Sequence, residues 1–419
     1  MTLEPPLSPD AARELDDCFA APDFFSNIHE YYRRLREDDP VHWSDTLQTW
    51  FLTRYEDVDA VHRDSRFSSV GRVIALLDRL PPETREQLTL LYKHYSPNGG
   101  NLIHLDRPEH TRIRKIFSKP FGRREMEPMR PRIQAIVDDL IDRVENERTI
   151  DLIRDFAFPL PIAVICDMLG ISIGVDRDRF IAWCHDISDI VGANHTTETA
   201  LSKQDSLSNL RAYIEGLLAE RRTEPRADFY TMLMGEQDDG DQLTDEEIVA
   251  SSVTLINGSH ETTTNLIGNS ILALQRFPDE EEKLRRNPRL IETAVEEFLR
   301  FDSPLNHTTR VATTEVEIGG RAIAPGQVVG MSLVAANRDP DQFDAPDSLD
   351  IERADNRHIA FAVGPHFCLG APLARMEAQI ALSALMTRFP AGFTLLQEPG
   401  WRQNRVQHGL TELKLELNR

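Results

Sequence analysis

Phe361-Ala362-Val363-Gly364-Pro365-His366-Phe367-Cys368-Leu369-Gly370 is the stretch on which the reading of this chain turns. A tight Gly/Pro loop closes on a cysteine and runs straight into Leu369–Arg388, whose apolar residues recur at helical spacing. A cysteine at that place meets unpaired amide N–H groups and the positive end of the helix dipole, and both favour a thiolate. A thiolate held there is a soft, strongly donating metal ligand. Cysteine at a helix start is also common as plain structure, so the loop needs supporting company. The other cysteines, Cys18, Cys166 and Cys184, show no paired metal spacing, and four in 419 residues is no disulfide scaffold. They read as packed, reduced thiols.

The second informative stretch is Asn257-Gly258-Ser259-His260-Glu261-Thr262-Thr263. It lies inside a long helical pattern that opens with a capping box, Thr244 and Glu247, and stops at Phe277 before Pro278. About 33 residues at ~1.5 Å each give ~50 Å, so this helix must cross the middle of the molecule. Asn, Gly and Ser inside a helix cost up to about 1 kcal/mol each relative to Ala. One reading is a mild irregularity with threonine hydroxyls bonded back to the preceding turn. The other is a helix locally opened, with an acid and an alcohol beside a bound ligand.

Two further patterns complete the set. Glu297-x-x-Arg300 shares a helix face, a pairing that by itself means nothing, and Arg353 follows in Asp350-Ile351-Glu352-Arg353. The segment His104-Leu-Asp-Arg-Pro-Glu-His110-Thr-Arg-Ile-Arg114 reads as the start of a helix, with Asp106 as its cap and Pro108 in its first turn.

In this order the four stretches resemble the motifs of the cytochrome P-450 superfamily, the haem-thiolate monooxygenases. The cysteine loop matches Phe-Gly-x-Gly-x-His-x-Cys-x-Gly except at Ala362, where the family usually has glycine. The resemblance implies that Cys368 is the axial iron ligand of haem b. His366 and Arg310, with His110 and Arg114, would bind the haem propionates. Glu261 and Thr262 fall on the acid–alcohol pair that delivers protons during oxygen activation. Ser259 stands where the family's second glycine is usual, which bears on the width of the oxygen groove. Glu297, Arg300 and Arg353 resemble a structural triad, read here as a clamp on the cysteine loop. His260 is expected to point away from the iron.

The fold so implied is mainly α with small β-sheets (α+β), a single triangular domain over 1–419. The haem would lie between the long central helix and the cysteine-loop helix. A helix-rich core is expected at about 105–301 and 369–388, and a β-rich part at about 40–54, 305–335 and 393–419. From the residues themselves, helices are expected at Asn27–Asp38, Pro82–His94, Arg123–Glu145, Asp178–Val191, Leu207–Arg222, Asp279–Arg286 and Arg289–Phe301. A polar loop, Gly192–Thr199, should separate the fourth from the fifth. A hairpin is expected at Val41–Trp43 and Trp50–Thr53, and strands near Arg310–Ile318 and Val328–Val334.

The formal charge of −22 argues against a nucleic-acid surface across the whole molecule. No apolar run is long enough for a membrane span, and the first residues lack a secretory pattern, so a soluble, cytoplasmic monomer is expected. No glycine-rich dinucleotide fingerprint is present, so redox chemistry would draw electrons from elsewhere. Against the acidic background, residues 107–132 carry a local charge of +6. The resemblance puts that run beneath the cysteine, which makes Arg112, Lys115, Lys119, Arg123 and Arg124 candidates for docking a ferredoxin-type donor.

The implied chemistry is insertion of one oxygen atom of O2 into a C–H bond, by hydroxylation or epoxidation. Residues 67–101, 191–201, 305–308 and 406–410 should line the substrate pocket, with Asn306, His307 and Gln407 as its polar groups and His408 nearby. That mix suits a mostly apolar molecule such as a terpenoid, fatty acid or polyketide. Two rival readings are a peroxide-driven haem-thiolate enzyme and a non-catalytic haem-binding or carrier-recognition module. The complete ligand and proton-delivery sets speak against both.

Overall fold

The central helix, Asp245–Arg276, organises everything else. The computed structural model describes residues 9–418 except 79, 172–176, 189–196 and 236–240. Thr244 caps the helix as expected: its hydroxyl accepts from the Glu247 amide, and the Glu247 carboxylate accepts from the Thr244 amide at 2.8 Å. At 32 residues the helix is ~48 Å long. It is buried nearly all round from Ile248 to Leu274, although it carries Ser, His, Glu, Thr and Asn. A helix that is polar in sequence yet central in the fold needs partners for those groups. Asn269 donates to the carbonyls of Asp302 and His408, Thr264 to Ala157 and His260, and Ser251 to Gly100.

Helices Pro159–Leu169, Arg177–Ser188, Thr197–Thr223, Ile291–Phe301 and Ala371–Arg388 pack against it. Their apolar faces form one continuous core from Val73 to Leu417. A five-stranded sheet flanks this core in the order 41–44, 49–52, 328–332, 307–312, 67–68. All its pairings are antiparallel except 49–52 with 328–332. A three-stranded sheet joins 149–151, 414–417 and 393–395.

Several expected elements are redrawn. The helix expected over Arg123–Glu145 is two, Arg123–Met126 and Met129–Asp142, because Pro128 supplies no amide to carry the ladder through. The insert expected at Pro82–His94 is likewise split, into Pro82–Arg85 and Thr89–Tyr95, and Arg72–Leu77 precedes it. The polar loop Gly192–Thr199 is wrong at its end: the helix already runs from Thr197 to Thr223, while 192–196 lie outside the described residues, as do 189–191 of the helix expected before it. Thr197–Thr199 are polar because they open the helix on its exposed face, which reads in sequence as the end of a loop. The strand expected at Arg310–Ile318 is two, His307–Ala312 and Val316–Ile318.

The amino- and carboxyl-terminal parts meet at a buried charge. Asp302, at the end of Ile291–Phe301, accepts from His29 at 3.1 Å and from His408 at 2.7 Å. Trp401 stacks on His408 at 4.3 Å. Burial pushes the Asp302 carboxyl up, but the two histidines outweigh it and hold it far below its usual range.

Candidate functional site

The cysteine loop is a strained turn fitted against its neighbours. Gly364 has φ +74°, and a Cβ there would stand 2.7 Å from the His62 carbonyl oxygen, so only glycine fits. Ala362 also has positive φ, +55°, which explains why glycine suits that position and why alanine costs about 1 kcal/mol there. The Cys368 amide donates to the Phe361 carbonyl at 3.0 Å and closes the loop. The helix beyond starts at Ala371, two residues later than the sequence pattern suggests.

Cys368 is the exposed cysteine among the described residues; Cys18, Cys166 and Cys184 are buried, as expected of packed thiols. The surrounding protein still desolvates its sulfur enough to push the thiol up. The amides of Gly370 and Ala371 and the Arg114 guanidinium oppose that shift without cancelling it. These groups all favour the charged form, so the site is suited to a thiolate.

Around the same loop lies a cluster of buried bases. Arg310, on the strand His307–Ala312, donates to the Thr309 carbonyl at 2.8 Å. Arg72 donates to His104 Nδ1 at 3.3 Å. Neither guanidinium has a carboxylate partner among the described residues. Burial pushes Arg310 down to about 10 and, with Arg310 as a repelling neighbour, Arg72 down to about 9. Arg114 reaches from the helix Glu109–Phe117 to the Phe367 carbonyl at 2.6 Å, tying that helix to the loop. The rings of His110 and His366 lie 4.0 Å apart, and His366 Nε2 meets the Ser69 hydroxyl at 3.1 Å. His110 Nε2 is buried without a partner, and burial with Arg114 nearby pushes His110 down to about 4.

Asp106 does not cap its helix as expected. Its carboxylate accepts from the Ser68 hydroxyl and, at 2.9 Å, from the Ser69 amide, so it is spent on holding the strand Phe67–Ser68. Two guanidiniums without a carboxylate partner, a ring nitrogen without a partner among the described residues and an exposed thiol fit one kind of group. A metalloporphyrin bearing two carboxylates would neutralise the cations and give the thiolate a metal to bind. Cys368, Arg310, Arg114, His110, His366 and Arg72 are the residues that could hold it.

The central helix runs unbroken through Asn257–Thr263, so it is not locally opened as the second reading required. The Thr262 hydroxyl donates to the Gly258 carbonyl at 2.7 Å, and that of Ser259 to Ile256 at 2.9 Å, the back-bonding of the first reading. Even so, Gly258 is exposed in the middle of a buried helix, and a Cβ on it would meet nothing within 4 Å. The helix presents an open notch there. Glu261 is buried; its Oε1 accepts from His185 at 3.2 Å and Arg402 at 3.4 Å, while Oε2 has no partner among the described residues. Burial pushes its carboxyl up, but His185 and Arg402 outweigh it and keep it below the usual range. His260 packs its ring against Phe158 at 4.4 Å.

The triad is complete and lies slightly off its expected target. Glu297 takes a two-pronged contact from Arg300 at 2.7 and 2.8 Å and a third from Arg353 at 3.1 Å. Arg300 spends its other donors on the carbonyls of Asn337, Pro346 and Ser348. The triad thus clamps the segment before the cysteine loop. The loop itself is gripped by the neighbouring Glu296, which holds Arg375 at 2.7 Å and His358 at 3.0 Å. Arg375 in turn covers the Phe361 ring at 4.6 Å.

Other expectations change. Asn306 is tied to Tyr32 and the Arg405 carbonyl, so it is not a free polar group for a substrate, while His307 packs edge-on against Phe51 and keeps Nδ1 without a partner among the described residues. His408 is spent on Asp302; Gln407 keeps an unpartnered Oε1. Among the docking candidates, Arg112 pairs with Glu109 and Glu247, Lys115 and Arg124 are exposed, Lys119 is half-buried, and the Arg123 side chain lies outside the described residues. Sequence reasoning missed Arg72, Glu296 and His185. Arg72 sat in a stretch read only as pocket lining, and no local spacing marks the other two.

The sequence profile of a family described as Cytochrome P450 matches residues 75–411. Cytochrome P450 107B1 of Saccharopolyspora erythraea is 38% identical over 96% of this chain and 98% of that protein. A vitamin D(3) 25-hydroxylase of Pseudonocardia autotrophica is 37% identical over 94% of both. Among solved structures, P450BioI in complex with an acyl carrier protein ligated to hexadec-9Z-enoic acid aligns with a TM-score of 0.86. It shares 34% identity over 94% of this chain and 100% of that one.

Proposed function

Since this chain belongs to the cytochrome P450 family and is a P450 monooxygenase, we propose that Cys368 binds the haem iron and that the buried bases beside it bind the propionates. The observation that carries the assignment is the accessible thiol of Cys368 next to guanidiniums that have no carboxylate of their own. The haem, when bound, supplies dioxygen activation and oxidation of a C–H bond. The chain's own residues do the rest. Arg310, Arg114 and Arg72 with His110 and His366 orient the porphyrin by its carboxylates. The amides of Gly370 and Ala371 stabilise the thiolate as it forms. The notch at Gly258 leaves room on the helix face, and Thr262 Oγ1 and the Glu261 carboxyl supply protons there. The clamp at Glu296 fixes the cysteine loop so that the thiolate does not wander.

The substrate is a mostly apolar molecule of the sterol, fatty-acyl or polyketide kind. With Asn306 and His408 engaged within the protein, the pocket is less polar than its sequence suggests. The relatives' names, a vitamin D(3) hydroxylase and a fatty-acyl complex, point the same way. Electrons come from a ferredoxin-type donor docking at Lys115, Lys119 and Arg124. Arg112 contributes less, because it is paired internally. The test is a panel of sterols, free fatty acids and polyketide lactones, scored by the shift of the ferric haem band and by product formed with ferredoxin, reductase and reduced nicotinamide. Turnover of at least one apolar class, abolished when the donor is withheld, supports the proposal. Turnover with peroxide alone would overturn the donor assignment, and tight binding confined to small polar molecules would overturn the substrate class.

A further inference from the structure

Glu261 is buried in the centre of the molecule, so a proton it gives up must be replaced from water. Only a group that touches both Glu261 and solvent can do that without opening the fold. His185, on the helix Arg177–Ser188, has that position. Its Nδ1 is 3.2 Å from Glu261 Oε1, while 36% of its side chain remains open to water. Its ring is fixed rather than loose, stacked on Phe158 at 5.1 Å and 11°, with His260 edge-on at 5.6 Å. The second contact to Glu261 comes from Arg402, which cannot release a proton at ordinary pH. Arg402 therefore holds the carboxylate, and the imidazole is the group able to exchange.

We propose that His185 relays protons from solvent to Glu261, making it a positioning and relay residue for the monooxygenase reaction. This rests on the reading of Glu261 as the proton donor. In each cycle solvent gives a proton to Nε2 while the Nδ1 proton passes to Glu261 Oε1, which leaves a neutral ring protonated on Nε2. That proton returns to water and Nδ1 takes another from water, which the exposed edge of the ring allows, so the starting tautomer is restored. Glu261 then turns the proton into the cavity through the oxygen that has no internal partner, Oε2. No electrons move in the relay. The titratable and charged groups facing the pair are His260 on the central helix and Arg402 from the carboxyl-terminal segment, with Cys184 and Asp186 on His185's own helix. Asp186 is turned to the hydroxyls of Ser202 and Ser206. Burial pushes the His260 ring down to about 3, so it stays neutral and does not compete for the proton.

The test compares the haem-loaded wild type with His185→Gln, His185→Ala and Glu261→Gln. Glutamine can still donate to Glu261 but cannot pass a proton on, which separates relay from support. The relay predicts that product formed per nicotinamide oxidised falls about tenfold in His185→Gln, with a larger solvent isotope effect and a flattened pH profile. A purely supporting role predicts that His185→Gln behaves as wild type and only His185→Ala suffers. If Glu261→Gln couples as well as wild type, the proton-donor reading itself fails. If Glu261→Gln uncouples and His185→Gln does not, only the relay fails.

Discussion

Arg300 and Arg310 stand ten residues apart, and the chain buries both, yet it treats them in opposite ways. Arg300 is fully buried and every hydrogen-bonding edge is met, two by Glu297 and three contacts by backbone carbonyls. Arg310 is almost as buried, keeps one carbonyl at 2.8 Å, and shares its surroundings with Arg72 and with His62, His104, His110 and His366. A buried charge with all partners present is architecture. One without them is either costly or waiting for a ligand that brings the opposite charge. That difference separates the frame of this molecule from its cofactor site, and substitutions can be chosen to break it.

The largest effect belongs to the frame. Glu297→Gln removes the charge that faces Arg300 and Arg353 and should cost about 3–5 kcal/mol, read as a steep fall in Tm and in yield of folded protein. A variant as stable as wild type would show that the frame does not depend on this ion pair. His42 is a second, smaller case of a satisfied buried cation. Burial pushes its ring down, but hydrogen bonds with Asp16 and Asp39 win and raise it to about 9. A folded value above the ordinary 6.5 means that the stabilisation is whole below pH 6.5 and fades as pH rises toward about 9. The loss should be on the order of 2–3 kcal/mol, and His42→Gln should flatten that alkaline limb in unfolding curves.

The cofactor side should respond with the opposite sign. Arg310→Met removes a buried charge that lacks a carboxylate, so the haem-free chain should be no less stable than wild type, and even more so. Haem should be held about tenfold more weakly, roughly 1.4 kcal/mol, when transfer to a competing apoprotein is followed. A variant that unfolds while wild type stands would place Arg310 with the frame. The smallest effect is at the loop: Ala362→Gly relieves a positive φ and should raise stability by about 1 kcal/mol, visible as a modest rise in Tm.

Much of this contrast was legible before any coordinates. Cys368 announces itself through the loop that carries it, and the central helix through its capping box and the proline that ends it. Glu297, Arg300 and Arg353 are readable only because the resemblance sets them in register. What stayed hidden depends on contacts between distant segments. Glu296 is one residue from Glu297 yet faces Arg375 and His358, and nothing in the local spacing says which acid grips which loop. Arg72 is a lone arginine in a stretch read as pocket lining until the sheet brings Arg310 beside it. His185 acquires meaning when its helix crosses Glu261. The end of the loop expected at Gly192–Thr199 and the helix broken at Pro128 are local failures of a different kind, one from the exposed polar residues that open the helix at Thr197 and one from a proline that sat inside a convincing periodicity.

The central claim is that Cys368 and the unpartnered bases around it form a haem-thiolate site. The most direct measurement is the absorption spectrum of the reduced protein with carbon monoxide, taken for wild type and Cys368→Ala. The account predicts a thiolate-type band in wild type and its loss in the variant. A wild type without that band, or a variant that keeps haem with the band unchanged, would contradict it.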